Sequence, residues 1–451
     1  MPRRINPITN KRYDYIVVGT GSGGGTVAKE LADGKRTVLI VELGPHMTKT
    51  GFIKATRKAF MGKDKRVFRS DGDIWIGRAR ILGGSSYVAM GNAATPPDKI
   101  FNEWGIDISE ELESARKDLY VTPMPEEFMG EGTKRINTAA ASLGWEMTPT
   151  PKCVDFAKCI KCGLCMFGCP TRSKWTSLEF IDEALANGAE LLLETEVKRI
   201  NQKNGKTNGI TAIQKDQKIE IEAKNVILSA GALATPLVLQ NTGITEAGKG
   251  LANDIFQTTY GYTKDVGMQG EIVLATYLEQ MIEERELFPA PYMYIPIFIQ
   301  RDLDGKYPEK LSKMREAQLF LKSKRLDAKH VIGMMTKIRD ERTGEVHNDG
   351  TITKRLTDKD QAKLDEANAI NSKILIAAGA NPETIFQGVL ESGHPCCTAA
   401  IGEILNDHQE TEIEGLFVSD ASVFPSPLGM PPILTIVALS KRLANHLKTR
   451  E

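Results

Sequence analysis

The sequence has no excess of either charge, since 58 lysine and arginine residues stand against 58 aspartate and glutamate residues. A net charge of zero leaves no field that would attract nucleic acid or an anionic membrane surface. An apolar share of 41% and a charged share of 26% are near the globular average, which excludes the disordered and fibrous classes. At roughly 150 residues per domain, we expect several structural units in this chain.

Long apolar runs are also scarce. The first 15 residues contain no apolar segment typical of a secretory signal. The longest uncharged stretch, Ala421 to Ser440, contains four prolines, whereas a membrane-spanning helix needs about 20 apolar residues. We therefore expect no transmembrane segment. A second apolar run, Phe288–Gln300, is interpreted as a buried strand beside a substrate pocket, with a membrane-touching edge as the alternative.

The seven cysteines are not distributed like a disulfide framework. Five of them lie between Cys153 and Cys169, and the other two, Cys396 and Cys397, are adjacent. This clustering indicates a metal site and a reducing compartment, so we expect a cytoplasmic protein.

Four of these cysteines follow the spacing C-x2-C-x2-C-x3-C-P of bacterial ferredoxins, which predicts an iron–sulfur cluster: Cys159, Cys162, Cys165 and Cys169. Zinc is the rival ligand, and purely structural thiols are a third reading. In two-cluster ferredoxins the fourth cysteine serves the other cluster, and no second run is present here. Three arrangements stay open: Cys169 closes the site, Cys153 or Cys397 supplies the last ligand, or the cluster has three protein thiolates. A 4Fe–4S cluster is favoured, with 3Fe–4S as the alternative.

A dinucleotide-binding turn is predicted near the N-terminus. Gly19, Gly21 and Gly24 fit G-x-G-x-x-G between an apolar strand and a helix, which is the context that this motif requires. The glycines permit a tight turn, close approach to a pyrophosphate and helix–strand packing, and the helix N-terminus offers free N–H groups to phosphate. Glu42 ends the next strand, where a carboxylate can accept hydrogen bonds from ribose hydroxyls. The motif does not distinguish NAD from FAD.

The remaining patterns place nucleotide-type segments at both ends of the chain, with another layer between them. The first helix is expected to end at Gly34, and residues 50–110 are expected to be irregular. Further helices are predicted over Ser177–Asn187 and from Thr357, where Asp360 completes an N-terminal cap and Gly379 is the stop. A final helix is predicted from the residues TIVALSKRLANHLK.

Together these motifs resemble the glucose–methanol–choline (GMC) flavoprotein oxidoreductases, and most closely the branch with a cysteine-rich iron–sulfur insertion. The resemblance is carried by four blocks in family order: YDYIVVGTGSGGGTVAKEL with IVELG, GRARILGGSSYVAMGNAA, CGLCMFGCPTRSK to LETEV with AGALATPLVLQNTGI, and HPCCTAAIGE with GLFVSDASVFPSPLGMPPILTIVALSKRLA. The resemblance implies an α/β fold, in which a Rossmann-like FAD-binding domain carries an inserted α+β substrate domain built on an antiparallel sheet. The implied division is 1–150, 173–252 and 390–451 for the FAD-binding domain, 151–172 for the cysteine segment and 253–389 for the substrate domain.

The resemblance also implies FAD rather than NAD. The ADP half would be held by Gly19, Gly21, Gly24 and Glu42. The pyrophosphate, ribityl chain, adenine and flavin ring would be contacted by Gly83, Gly84, Ser85, Ser86, Asn92, Val197, Ala230, Gly231, Asp420, Ala421 and Thr435.

His394 lies where the family has its catalytic histidine, and an imidazole can take a hydroxyl proton while hydride leaves carbon for the flavin. Two positions depart from the family pattern. The family's second catalytic residue, an Asn or His, aligns with Pro431, which has neither donor nor base. The family's HxxGT motif becomes HPCCT, which places Cys397 where glycine is usual; the cysteine pair is interpreted as small core residues, a cluster ligand or redox-active thiols.

The leading hypothesis is an FAD-dependent dehydrogenase that oxidises an alcohol or sugar, with electrons leaving singly through the cluster to an external carrier such as ferredoxin, a cytochrome or quinone. One alternative is a ferredoxin-driven reductase of a C=C, C=O or disulfide substrate. Another is a non-catalytic electron-transfer subunit. The expected partners are a small-molecule substrate, the electron carrier, and a partner subunit or a second copy of the chain.

Overall fold

A computed structural model describes residues 11–47, 67–293 and 328–450 of the protein. Its α-helices, numbered in chain order, are α1 Ser22–Leu31, α2 Asp98–Trp104, α3 Ser109–Asp118, α4 Glu131–Ser142, α5 Leu178–Ala186, α6 Thr235–Thr242, α7 Gln280–Arg285, α8 Asp358–Ala377 and α9 Ile433–Thr449. Short 3-10 helices occupy Gly84–Tyr87, Glu126–Phe128, Cys165–Phe167, Ala328–His330, Pro382–Thr384 and Ala421–Val423.

The strands are short at the N-terminus and longer in the middle of the chain. In chain order they are β1 Tyr13–Val18, β2 Val38–Val41, β3 Val67–Arg69, β4 Trp75–Gly77, β5 Thr122–Pro123, β6 Thr148–Pro149, β7 Pro151–Lys152, β8 Glu190–Leu192, β9 Thr195–Lys203, β10 Lys206–Gln214, β11 Gln217–Leu228, β12 Lys249–Leu251, β13 Phe256–Tyr262, β14 Thr276–Tyr277, β15 Leu287–Pro291, β16 Val331–Ile338, β17 Gly344–Val346, β18 Ile352–Thr353, β19 Phe386–Gln387, β20 Glu391–Ser392 and β21 Leu416–Val418.

The first large sheet combines a parallel core with an antiparallel extension. Strands β8, β2, β1, β11 and β21 run parallel, with β1 at the centre between β2 and the C-terminal half of β11. The N-terminal half of β11 pairs antiparallel with β10, which pairs with β9. The parallel core joins segments from both ends of the chain, which is the nucleotide-binding layer that the sequence predicts.

Both faces of this parallel core are buried because its strands carry apolar residues at nearly every position. In β1, Tyr15 and Val17 pack with α1 and α9, whereas Ile16 and Val18 face the opposite hydrophobic cluster. The helices on one face are also tied by charge, since Lys441 of α9 lies 3.0 Å from Glu30 of α1. Strand β1 and helix α1 from the N-terminal part therefore pack with helix α9 from the C-terminal part in one layer.

The second large sheet has the order β15–β16–β13–β20–β4–β3, with β19 also paired to β13. The pairs β13–β16, β15–β16 and β3–β4 are antiparallel, and β4–β20 is parallel. Strands β3 and β4 come from the N-terminal part of the chain, so this sheet is not built from residues 253–389 alone. Helix α8 covers one face with Leu364, Ile370 and Ile374.

The helix predicted from Thr357 is confirmed together with its cap. The Thr357 hydroxyl accepts the Asp360 N–H at 3.1 Å, and the Asp360 carboxylate accepts the Thr357 N–H at 3.1 Å. The helix stops before Gly379, which has φ +94°. This reciprocal pair is the capping box expected from the residue types.

Three helices differ from the sequence prediction. Helix α1 ends at Leu31 rather than Gly34, because the Asp33 carboxylate accepts the N–H groups of Lys35 and Arg36 and turns the chain towards β2. Helix α2 lies within a stretch predicted to be irregular, and Trp104 is among the residues that it buries. Helix α9 begins at Ile433, two residues before the predicted start.

The apolar run Phe288–Gln300 begins within strand β15, as predicted, but residues 294–300 lie outside the described part of the chain. Part of the stretch 50–110 also lies outside it. Within residues 11–47, 67–293 and 328–450, no helix combines the length and apolar character needed to cross a bilayer.

Candidate active site

A cavity of about 660 Å³ is lined by residues from both large sheets. Val18 and Val41 come from the parallel sheet, and Trp75, Met335 and Lys337 come from the second sheet. Predicted cofactor-site residues that line the cavity are Gly19, Gly21, Glu42, Gly84, Ser85, Ser86, Asn92, Val197, Ala230, Gly231, Asp420 and Ala421. His394 lines the same cavity.

The glycine turn after β1 has the geometry that its residue types predict. Gly19 has φ +99°, and a Cβ on it would lie 2.3 Å from the Ser229 carbonyl oxygen. A Cβ on Gly24 would lie 2.1 Å from the Gly19 oxygen, so this third glycine permits helix–strand packing without lining the cavity. Gly21 lines the cavity, and a Cβ there would meet no atom within 4 Å. Gly19 and Gly24 therefore have no room for a side chain, whereas Gly21 faces open space in the cavity.

Glu42 is buried at the end of β2 and is held by the same turn. Its carboxylate accepts the Thr20 hydroxyl at 2.5 Å, the Thr20 N–H at 3.0 Å and the Gly44 N–H at 2.6 Å. Burial raises the pKa of Glu42, although these hydrogen bonds oppose the shift. These hydrogen bonds fix the orientation of the Glu42 carboxylate at the cavity wall.

The second glycine loop packs directly on the first. A Cβ on Gly84 would lie 2.8 Å from Gly21 Cα, and the Gly83 N–H donates to the Thr20 hydroxyl at 2.9 Å. The Ser86 hydroxyl donates to the Gly83 carbonyl at 2.5 Å, so its proton is used within the loop. The Ser85 hydroxyl accepts the Ala79 N–H at 3.2 Å and keeps its proton for another acceptor. Gly83 itself does not line the cavity, because it lies at the base of this loop.

Asp420 joins two loops at the cavity wall. One carboxylate oxygen accepts the Gly231 N–H at 2.9 Å and the Thr235 hydroxyl at 2.6 Å. The other accepts the N–H and the hydroxyl of Ser422 at 2.8 Å and 2.6 Å. Both carboxylate oxygens are thus occupied by protein donors. Asp420 therefore serves mainly to hold the loops of Gly231 and Ser422 in place at the cavity wall.

Two buried hydroxyl groups near these loops have no hydrogen-bond partner in the described structure. They belong to Ser229, which lines the cavity, and to Thr435 in the first turn of α9. Thr435 does not itself line the cavity, but Ile433 and Ile436 of the same turn do. Buried hydroxyl groups are normally paired, so these two indicate a polar ligand.

His394 is paired with Asp254, which the sequence analysis did not single out. His394 Nδ1 lies 3.3 Å from Asp254 Oδ2, and the other Asp254 oxygen accepts the Gly429 N–H at 2.7 Å. The His394 side chain is 22% exposed and that of Asp254 is 2% exposed. Burial and the nearby Lys337 ammonium hold the pKa of His394 well below its usual value. The imidazole is therefore neutral and available as a base.

A buried ion pair supports the turn that carries Asp254. Asp254 has φ +47°, a conformation that a short polar side chain tolerates. The Asp340 carboxylate accepts its N–H at 2.7 Å and that of Asn253 at 3.1 Å. Lys354 Nζ lies 2.7 Å from Asp340, with both side chains fully buried. The sequence indicated neither partner, because they meet only through the tertiary fold.

The four cysteines of the ferredoxin-like spacing line one small cavity: Cys159, Cys162, Cys165 and Cys169. Cys169 Sγ lies 3.1 Å from Ser173 Oγ and 3.5 Å from Thr171 Oγ1. Although burial raises it, these hydrogen bonds hold the pKa of Cys169 at about 7. No group of three or more His, Cys, Asp or Glu side chains in the described ranges is arranged as a ready metal site.

The three other cysteines do not line this cavity. Cys153 is buried, and burial raises its pKa to about 12. Cys396 and Cys397 are also buried, with their sulfur atoms 3.5 Å apart. Cys397 has φ +69°, which accounts for the glycine usual at that position of the HxxGT motif.

Two fully buried lysines connect the cysteine loop with the cavity wall. Lys174 Nζ donates to the carbonyl groups of Ser86, Tyr87 and Ala89 at 2.6–3.0 Å. Lys152 Nζ donates to the Asn92 side-chain oxygen at 2.5 Å. Both ammonium groups lie near Cys165, and burial lowers the pKa of each lysine to about 8.

Residues 13–257 and 317–440 match the N-terminal and C-terminal family models described as GMC oxidoreductase. An uncharacterised protein of Methanocaldococcus jannaschii is 28% identical over 437 residues, covering 96% of this chain and 100% of that protein. A long-chain-alcohol oxidase of Arabidopsis thaliana is 25% identical, covering 97% of this chain and 67% of the oxidase. Among solved structures, pyridoxine 4-oxidase from Mesorbium loti superimposes with a TM-score of 0.75 at 15% identity, covering 98% of this chain and 100% of that one.

Proposed function

Because this chain belongs to the GMC oxidoreductase family, whose members are flavin-dependent enzymes, we propose that it oxidises a hydroxyl-bearing substrate by hydride transfer to FAD with His394 as the base. The observation that carries the proposal is the His394–Asp254 pair at the wall of the large cavity. The direction of the reaction and the substrate class belong to the proposal, whereas FAD dependence follows from the family.

The cavity fits the group that the family implies. Gly21 and Gly231 leave open space where a Cβ would project, and the hydroxyl groups of Ser229 and Thr435 have no hydrogen-bond partner among residues 11–47, 67–293 and 328–450. We assign the ADP half to Gly19, Gly21, Gly24 and Glu42. The rest of the cofactor is assigned to Gly83, Gly84, Ser85, Ser86, Asn92, Val197, Ala230, Gly231, Asp420, Ala421 and Thr435. When bound, FAD supplies the acceptor for hydride.

The protein's own residues provide the proton transfer. Burial raises the pKa of Asp254 to about 7, so above that pH its carboxylate accepts from the His394 Nδ1–H group, which leaves the lone pair of His394 on Nε2. Nε2 then takes the hydroxyl proton of the substrate while the C–H hydride leaves with its electron pair, and a carbonyl group forms. Such a base contributes roughly 10²–10⁴-fold to the rate.

Two of the similar proteins support a hydroxyl-bearing substrate, since they are named for oxidation of a long-chain alcohol and of pyridoxine. The wall of the cavity that contains His394 also includes Leu274, Tyr292 and Met335. These side chains suit the carbon skeleton of an alcohol rather than a densely polar ligand.

Anaerobic stopped-flow mixing with a panel of primary and secondary alcohols and sugars tests the proposal. We expect at least one of them to bleach the flavin of the wild-type protein. His394→Ala is expected to slow this reduction at least roughly 100-fold with FAD retained. An unchanged rate would remove His394 from the mechanism, and reoxidation of the reduced protein by an enone or disulfide would instead support a reductase.

We further propose that the cysteine loop holds an iron–sulfur cluster that passes electrons singly to an external carrier. Three observations support it: the ferredoxin spacing, the cavity shared by the four cysteines, and the buried ammonium groups of Lys152 and Lys174, whose charge suits an anionic group. Met166 and Phe167 of the same loop line the large cavity, so the two cavities are neighbours. A cluster at this position supplies one-electron transfer.

Iron, sulfide, zinc and flavin analysis of anaerobically prepared protein, with an EPR spectrum, tests the cluster. We expect iron and sulfide in the wild type and their loss in Cys162→Ser. Cys396→Ser is the matched control, because Cys396 lies outside the cysteine cavity, and it should retain the iron. Zinc in place of iron, or a colourless protein after FAD removal, would refute the cluster.

A further inference from the structure

Lys337 occupies a position in the active-site cavity that the sequence did not indicate. It lies on β16, between β13 and β15, where its neighbours across the strands are Phe256 and Phe288. Lys337 and Met335 both line the cavity, whereas the intervening Thr336 faces α8 and bonds Asn371. The alternation of a strand therefore aims the Lys337 side chain at the cavity.

The Lys337 ammonium is buried and forms no direct ion pair with any residue that the structure describes. The residue is 4% exposed, and its Nζ lies 4.1 Å from the centre of the Phe256 ring. In the part of the chain that the structure describes, no hydrogen bond or salt bridge to this Nζ is found. Burying an ammonium group without a partner is costly, so such a group at a cavity wall indicates that an anion or a polarised oxygen occupies the cavity.

The charged and titratable groups that face Lys337 are Asp254, Glu391 and His394. Asp254 and Glu391 are carboxylates that favour the charged ammonium, and burial opposes them by lowering the pKa of Lys337. The ammonium in turn holds His394 neutral, as a base must be. The position therefore combines a cation and a neutral imidazole at one cavity wall.

We propose that Lys337 is a second catalytic residue, whose ammonium stabilises the negative charge that develops on the substrate oxygen as His394 removes the hydroxyl proton. This inference rests on the proposed function. The O–H proton passes to His394, the C–H bond breaks with its electron pair leaving as hydride, and the oxygen forms the second bond to carbon. Lys337 forms no covalent bond. It supplies a cation near an active site in which Pro431 offers no donor.

The first test measures flavin reduction in Lys337→Met and Lys337→Arg by anaerobic stopped flow. Removing one such donor costs on the order of 10²–10³-fold in rate, so we expect that loss in Lys337→Met with FAD retained. Arginine should recover part of the rate. Lys249→Met is the matched control, since Lys249 is an exposed lysine paired with Glu246, and its rate should not change.

The pH profile separates a catalytic role from a structural one. Since Lys337 lowers the pKa of His394, its removal should move the acid limb of the rate profile to higher pH. The alkaline limb, which reports loss of the ammonium proton, should disappear. A reduced rate with both limbs unmoved, and no recovery with arginine, would show a structural role and overturn the proposal.

The second test does not depend on alcohol oxidation. Hexanoate mimics an anionic substrate oxygen, and its binding can be followed by the change in the flavin absorbance spectrum. We expect binding at least tenfold weaker in Lys337→Met than in the wild type, with Lys337→Arg between them. If no alcohol bleaches the flavin but hexanoate binding depends on Lys337, the proposed function fails and the anion site stands. Equal hexanoate affinity in wild type and Lys337→Met would overturn the inference.

Discussion

Removal of Lys354 is expected to be severely destabilising because it leaves Asp340 charged in the protein interior. The two side chains are 2.7 Å apart and both are 0% exposed. Removing one partner of such a pair costs about 3–5 kcal/mol, mainly because the remaining charge has no compensation. The exposed pair of Lys359 and Glu341, at 2.9 Å with side chains 78% and 34% exposed, should contribute little to stability because water screens the two charges.

The pH dependence of this loss identifies its cause. Burial raises the pKa of Asp340, and loss of the Lys354 charge should raise it further. A carboxyl group whose folded pKa is raised contributes stability at low pH that disappears as pH rises through that pKa. The difference between Lys354→Met and wild type should therefore shrink as pH falls towards about 3.9, the value of an unfolded aspartate.

Equilibrium urea unfolding of the FAD-loaded protein, followed by far-UV circular dichroism at two pH values, measures this difference. Lys359→Met is the control. The double variant Lys354→Met/Asp340→Asn should be more stable than Lys354→Met, since an asparagine oxygen can still accept the N–H groups of residues 253 and 254 without a charge. A loss as small as that of the control, or one that is equal at both pH values, would refute the reasoning.

Three further variants test other parts of the site and the fold. Gly21→Val should lose FAD while keeping the far-UV spectrum, because its side chain projects into open cavity space; the flavin-to-protein ratio measures this, and retained FAD would contradict the assigned phosphate position. Glu42→Gln should weaken FAD binding about tenfold or more, because its amide N–H₂ group would face either the Thr20 N–H or the Gly44 N–H, and that donor would lose its acceptor; fluorescence titration of the apoprotein with FAD measures this, and unchanged affinity would contradict it. Thr357→Ala should lower the free energy of unfolding by about 1 kcal/mol through loss of the α8 cap, with Thr351→Ala as a loop control.

Local patterns in the sequence were sufficient for the nucleotide-binding layer and for the family. The glycine turn depends on neighbouring residues, and Glu42 ends the strand that follows the next helix, so the strand–turn–helix–strand pattern predicts a tight turn with a carboxylate beside it. The Thr357 cap is equally local, because its two hydrogen bonds join residues three positions apart. The resemblance to GMC oxidoreductases was confirmed by both family models.

Other predictions depended on distant parts of the chain and were incomplete. The second large sheet includes β3 and β4 from residues 67–77. The sequence pattern of residues 253–389 does not indicate that these two strands belong to the sheet. Helix α2 was missed because its seven residues are too few for a clear period. In the sequence, Lys337 stands out only as a lysine within a mostly apolar strand. Its functional interest becomes clear once the structure shows that this strand borders the cavity.

The sequence by itself determined the glycine turns and the cysteine spacing, because each depends on residue type and short spacing, whereas His394 was singled out through the family resemblance. Only the tertiary structure decided what surrounds His394. Asp254 is 140 positions away along the chain, and Lys337 lies on a strand of the second sheet. Electrostatic interactions act through space and become strong where burial removes water, so the groups that set the charge of His394 cannot be identified until the fold brings them together.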